Sequence, residues 1–306
     1  MHSAIQLFVL LWVLGFSHIG GTSENWTHIN TNSGLPDNDV RALLEDRSGN
    51  MWIGTRNGGI AVYQRQDSSW LYFTESDGLS ANGILSLYQA GDGSIWAAGG
   101  AGYSTYNGGS WSKSDSVGGG PVRVAYTVSG EAGAFIGLAA NGGASIYDGT
   151  GWQVFNQQHG LPHRVVHDVY RENANALWFA CRQGLGYWDG ESMQVLFEEE
   201  NFRAIVKGQA GTIWFGTGGA GIYAYHEGDW ENHLAGKTVL PKLIDQKGQL
   251  WAATEGAGAY MYDGERWHRY DAEDGLASNM VYSIAGAADG SLWFGTDAGV
   301  SIYTPE

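Results

Sequence analysis

Cysteine occurs once in these 306 residues, at Cys181, which leaves no internal disulfide framework and no multi-cysteine metal site. Basic residues are scarce: 16 Lys and Arg, only 5 of them Lys, stand against 32 Asp and Glu, a formal charge of −16. A nucleic-acid binder needs a basic footprint that this chain does not have, and adhesion to anionic membrane is disfavoured on the same ground. Proline is held to 5 residues, and no Pro/Ser-rich linker or charge block divides the chain. Past the amino terminus no apolar run is long enough for a membrane span. A G-x-S-x-G nucleophile elbow is absent, and Gly-rich runs such as Gly99-Gly100-Ala101-Gly102 sit where hairpin turns are expected, so they do not read as phosphate loops.

Glycine and tryptophan are abundant, at 48 and 14 residues, and they fall at fixed places. A Trp–apolar–Gly–Thr unit stands at Trp52–Thr55, Trp214–Thr217 and Trp293–Thr296, with degenerate copies led by Trp96, Phe135, Trp178 and Trp251. The lead aromatics are 44, 39, 43, 36, 37 and 42 residues apart. Such a period, filled with short apolar strands and turn residues, marks a repeat architecture. In repeat one, strands are predicted over Asp39–Leu44, Met51–Thr55, Gly59–Tyr63 and Trp70–Thr74, separated by tight turns such as Asp46-Arg47-Ser48-Gly49. Four strands per unit predict an all-β, seven-bladed β-propeller of four-stranded antiparallel blades.

The ends agree with that count. Repeat seven stops after its third strand, at Tyr303, while Glu24–Ile29 is an orphan strand resembling the fourth-strand copies Trp70–Phe73 and Trp267–Tyr270. The expectation is that the N-terminal strand completes the last blade and closes the ring. Ala4–Phe16 is a stretch without charge followed by small residues, which predicts a signal peptide over 1–23 and a propeller over 24–306, exported to the periplasm or secreted.

Gly34-Leu35-Pro36-Asp37-Asn38-Asp39-Val40, Asp46–Thr55 and Gly59–Tyr63 together resemble the two-component regulator propeller repeat, whose pattern is roughly GLPxNxV, DxxGxLWIGT, GLxxYD. Repeats four (Gly160-Leu161-Pro162) and seven (Gly275–Asn279, Leu292–Thr296) carry it too, and the similarity covers essentially all of 24–306. The resemblance implies an extracytoplasmic sensor region, of the kind found in hybrid histidine kinases and often linked to carbohydrate sensing, with recognition rather than catalysis in the propeller. Since this sequence shows one ring without a connector or kinase region, a detached sensor or binding protein is expected. Two enzymatic propeller types fit less well: a sialidase Tyr–Glu pair cannot be assigned, and no paired His of the virginiamycin-lyase kind is found.

Candidate site residues come from the places where the repeats differ. The loop entering the first strand is long in repeats one, two, four and seven, and repeats seven, one and two each supply an Asn there: Asn279, Asn38 and Asn82. These amides suit sugar hydroxyls or peptide backbone, or they bond their own loops. The slot after the first apolar residue of the first strand holds Arg41, Arg123 and Arg203, with His167 and Tyr282 in equivalent places. Three Arg near one level of a channel mouth would hold a carboxylate, sulfate or phosphate, or pair with loop carboxylates such as Asp37 and Asp39. His159, His163 and His167 are spaced for one helical face, but the repeat puts them across a loop and a strand, so no metal site is expected. His163 and His167 are retained as ligand-binding candidates. Cys181 fills the Thr slot, which reads as a small buried side chain or as a reactive thiol.

Three functions follow as expectations. The first is a sensor-type module binding an oligosaccharide or other small polar ligand, with Tyr282 stacking on a sugar ring. The second is a platform for a protein partner such as a separate sensor component. The third is a lyase or hydrolase. The first is preferred: no enzyme, no cofactor, no metal, no nucleic acid and no stable membrane insertion.

Overall fold

The computed structural model describes residues 25–114, 125–131, 135–147, 151–173 and 175–305, with short stretches at 10–11, 17–18, 116–117 and 120–121. The expected leader at 1–23 and Arg123 lie outside the residues described in full. The described chain is all β, with five four-stranded antiparallel sheets and a larger sheet in which the strands of repeats five and six join where Thr217-Gly218 pairs with Thr238-Val239. Repeat one runs Val40–Glu45, Met51–Thr55, Ile60–Gln64 and Ser69–Phe73, each strand pairing with the next. The first strands of the other repeats are Ile84–Gln89, Ala125–Glu131, Val166–Arg171, Phe202–Lys207, Thr238–Ile244 and Val281–Gly286. Each lies against the first strand of the following repeat, and that of repeat seven lies against that of repeat one. Trp26–Ile29 pairs antiparallel with Gly299–Tyr303, Trp26 opposite Tyr303.

The Trp-x-Gly-Thr unit is the second strand, and its burial explains its composition. Met51–Thr55, Leu250–Thr254 and Leu292–Thr296 are buried at every position, because each sheet is covered on both faces by its neighbours. Apolar side chains fill those seams: Trp52 with Leu79, Ile84 and Trp111, Trp293 with Val40, Ile53 and Val300, and Trp251 with Trp26, Val281 and Phe294. The glycine is where the next sheet presses closest. A Cβ on Gly54 would sit 2.6 Å from Ile84 Cγ2, the first residue of the following repeat's first strand.

The threonine closes the second turn. Thr55 Oγ1 donates to Gly59 O (2.9 Å) and accepts from Gly58 N, and Thr217, Thr254 and Thr296 repeat the device. The turn Asp acts on the Trp six residues later: Trp52 Nε1 donates to Asp46 Oδ2 at 2.8 Å and Trp251 Nε1 to Asp245 Oδ2 at 2.9 Å. Cys181, in the threonine slot, is fully buried, and burial pushes its thiol up to about 12. Of its two readings, the structure supports the small buried side chain.

Candidate functional site

Every first strand carries one β-bulge, and in repeats one, four, five and seven the bulged residue is the one the sequence singles out. The pairing register skips Arg41, Leu85, His167, Arg203 and Tyr282, and the backbone of repeat three makes the same skip at Tyr126. A bulge leaves its residue out of the ladder and re-aims the side chain. In repeat six the skip falls deeper, at Lys242, after Pro241. Arg41, Leu85, His167, Arg203, Lys242 and Tyr282 converge on one cavity of about 330 Å³ among the first strands, whose walls also include Asp168, Glu255 and Ser283.

Two of its cations are already paired. Arg41 forks through Nε and Nη2 onto both carboxylate oxygens of Asp39, with Nη2–Oδ2 at 2.9 Å, and its guanidinium lies 3.6 Å above the Tyr282 ring. Arg203 Nη1 lies 2.7 Å from Glu255 Oε1. Among the described residues Lys242 makes no ion pair or hydrogen bond through its ammonium, and burial lowers it to about 8 against the pull of Asp168. The Ser283 hydroxyl is buried without a hydrogen-bond partner among the described residues.

Asp168 accepts from Val169 N (2.9 Å) and Ile205 N (2.8 Å), so its oxygens tie repeat four to repeat five. Burial nevertheless raises its carboxyl to about 7. His167 is held down at about 4, first by burial and then by Arg203 and Arg182, so it is neutral at physiological pH. The cavity thus joins one unpaired ammonium and one unpartnered hydroxyl to an aromatic face and neutral imidazole. Such a set can hold an anionic group at one end of a small polar molecule.

The other candidates lie elsewhere. Asn38, Asn82 and Asn279 each bond their own loop, the second of the two uses open to them in the sequence. Their Oδ1 atoms accept from Thr31 N, Glu75 N and Ala272 N, each seven residues upstream, at 2.8, 2.9 and 2.8 Å. None of the three reaches the cavity. Their backbone carbonyls accept from Gly299, Gly59 and Gly258 of the preceding repeat, so the loops lock neighbouring sheets together. His163 Nδ1 accepts from Val165 N, 2.9 Å away, again within its loop and outside the cavity lining.

The residues the sequence reading missed are Lys242, Asp168, Glu255 and Ser283. Asp168 had a visible signal, because the equivalent slot holds Ala42, Ser86, Ala204 and Ser283 in other repeats. Among the described residues no group of three His, Cys, Asp or Glu side chains is placed to hold a metal ion.

The family model described as two component regulator propeller matches at residues 34–57 and 275–298. The chain carries two-component regulator propeller repeats. By fold the propeller is similar to the extracellular domain of a hybrid two component system from B. thetaiotaomicron (TM-score 0.79, 19% identity, 92% of this chain and 42% of that one). It is also similar to PorZ, a surface component of the type-IX secretion system of Porphyromonas gingivalis (0.69, 16%, 88% and 47%). A third likeness is virginiamycin B lyase from Staphylococcus aureus (0.68, 14%, 92% and 99%). At these identities the likeness is one of fold. The propeller spans less than half the length of the two-component and PorZ chains. No curated protein matches it by sequence. Among the described residues no helix is long and apolar enough to cross a membrane.

Proposed function

We propose that this propeller is an exported recognition module, seven-bladed and closed by the N-terminal strand, that binds a small polar ligand bearing one anionic group in its central cavity. An acidic sugar, alone or ending an oligosaccharide, is the favoured class. The observation that carries the reading is the convergence of unlike bulge residues on a cavity whose Lys242 ammonium makes no ion pair among the described residues, while Arg41 and Arg203 make theirs. A cavity of about 330 Å³ lies at the small end of ligand sites, which run roughly 300–1,000 Å³. Likeness to extracellular domains of two-component systems supports export and a sensing role. Recognition without turnover is part of the proposal.

Thermal unfolding with glucuronate, galacturonate and glucose tests it. A ligand that binds only the folded state at about 100 times its Kd adds about 2.7 kcal/mol. Glucuronate or galacturonate is expected to raise the Tm, and Lys242→Ala to abolish that rise. A rise that survives Lys242→Ala, or none with either acid, rejects the site.

A further inference from the structure

A larger cleft lies at the far ends of the first strands, in the seam between repeats six and seven, and its origin is visible by comparing seams. Between repeats seven and one, Arg65 acts as a plug. Its guanidinium lies over the Trp293 ring, 5.4 Å from the centroid, and reaches Glu45 (3.3 Å), Asp289 (3.1 Å) and Ser291 (3.3 Å). Aligned on their tryptophans and third-strand tyrosines, the corresponding positions of the next seam are all changed. Pro305 stands for Arg65, Gly286 for Glu45, Lys247 for Asp289 and Gln249 for Ser291. The plug is gone, and a cleft of about 720 Å³ occupies its place. A Cβ on Gly286 would meet only Leu243 Cδ1 and Leu292 Cδ2, both at 3.9 Å, which is ordinary contact in an open space.

The walls specify what fits. Tyr270 is only 5% exposed, yet it lines the cleft, and its hydroxyl has no hydrogen-bond partner among the described residues. Burial raises that phenol to about 12, so it remains a donor. Tyr303 stands beside it, ring centroids 5.8 Å apart, with Leu243, Met261 and Leu292 as apolar wall. The carboxylates at the rim are engaged: Glu45 by Arg65 and Ala288 N, Asp289 by Arg65 and Ser291, Asp245 by two backbone N–H groups and the Trp251 indole. Three acids against Lys247 and Arg65 leave the rim with one negative charge in excess, which disfavours an anion, and a cation finds these oxygens already bonded. We propose that this seam is a second binding site, for an uncharged ring carrying several hydroxyl groups, such as a single hexose or cyclitol. Its hydroxyls would meet Tyr270, Tyr303 and Gln249, and its C–H face the apolar wall.

Saturation-transfer NMR with glucose, myo-inositol, glucuronate and methylguanidinium, on the full chain, tests the site. Glucose or myo-inositol is expected to give transfer that Tyr270→Phe weakens about fivefold or more, as loss of one buried hydrogen bond does. The double variant Gly286→Glu with Pro305→Arg rebuilds the neighbouring plug; it is expected to abolish that transfer without lowering the Tm. If the double variant unfolds, Tyr270→Phe alone decides. Transfer unchanged in Tyr270→Phe overturns the site, as does transfer to neither neutral ring or stronger transfer to methylguanidinium. Lys242→Ala should leave the neutral-ring signal intact, which separates this site from the central cavity.

Discussion

At the scale of single residues, His167 and Asp168 are neighbours that titrate in opposite senses. Folded His167 stays neutral down to about 4, whereas its ordinary value is 6.5. Between these limits the unfolded chain binds the extra proton, so His167 makes stability rise with pH. Folded Asp168 keeps its proton up to about 7 against an ordinary 3.8, so here the folded chain holds the extra proton and stability falls across that window. The two slopes oppose each other between about pH 4 and 6.5. Replacing His167 by Gln removes the rising one, and the Tm of that variant is expected to decline from about pH 4.5 to 7, as pH-scanned calorimetry would record. A flat profile would show that Asp168 titrates like a surface carboxyl. Part of this pair was legible in advance. The bulge slot pointed to Arg41, His167, Arg203 and Tyr282 because it follows the first apolar residue in each repeat. Lys242 escaped because Leu240-Pro241 stay in the ladder and move the bulge of repeat six two residues beyond the alignment. The asparagines were left with two readings for a plain reason: an amide that suits a ligand equally suits a backbone N–H seven residues away.

Strands and turns were the most readable level, since the repeat displays each of them several times. The predicted second strand Met51–Thr55 matches the observed one, and its neighbours moved by a residue at their ends. What periodicity does not reveal is why the conserved-looking positions within the repeat take those residues. Thr in the second strand is a hydrogen-bonding device, and repeat four has Cys181 in that place, where the turn retains only the backbone bond from Cys181 N to Gly184 O at 3.2 Å. Cys181→Thr restores a hydroxyl that four other repeats use, and it is expected to stabilise the fold by about 1 kcal/mol, the net value of one such bond. Denaturant titration would measure it, and a loss of stability would mean the slot is too tight for the added methyl. In the reverse direction, Asp46→Ala strands Trp52 Nε1 together with the backbone N–H groups of Ser48 and Asn50. A cost of about 1–3 kcal/mol is expected on the same denaturant curve.

For the whole molecule the question is whether the repeats form one cooperative ring or a row of neighbours. The Gly-Leu loop supplies an internal measure. A Cβ on Gly34 would lie 2.7 Å from the Trp70 ring, one on Gly78 3.2 Å from Trp111 Cβ, and one on Gly275 2.4 Å from Trp26 Cδ1. In repeats one and two the loop therefore packs on the fourth strand of its own repeat, and in repeat seven the strand in that position comes from the amino terminus. Trp26 is 6% exposed and packs on Phe294 and Tyr303 at 5.4 and 4.9 Å. Trp26→Ala empties a core position and is expected to cost about 3–5 kcal/mol, whereas Tyr72→Ala, on the exposed outer edge, should cost far less. The shape of the transition discriminates further. In a closed ring each sheet is held from both sides, so the variant should unfold in one transition displaced to lower temperature. In an open row, stability is a sum of neighbour terms, and the damage would separate into an early transition of repeat seven followed by the rest at nearly the original temperature. Calorimetry on Trp26→Ala distinguishes the two, because a strand that latches the ring must carry the stability of repeats that it does not touch.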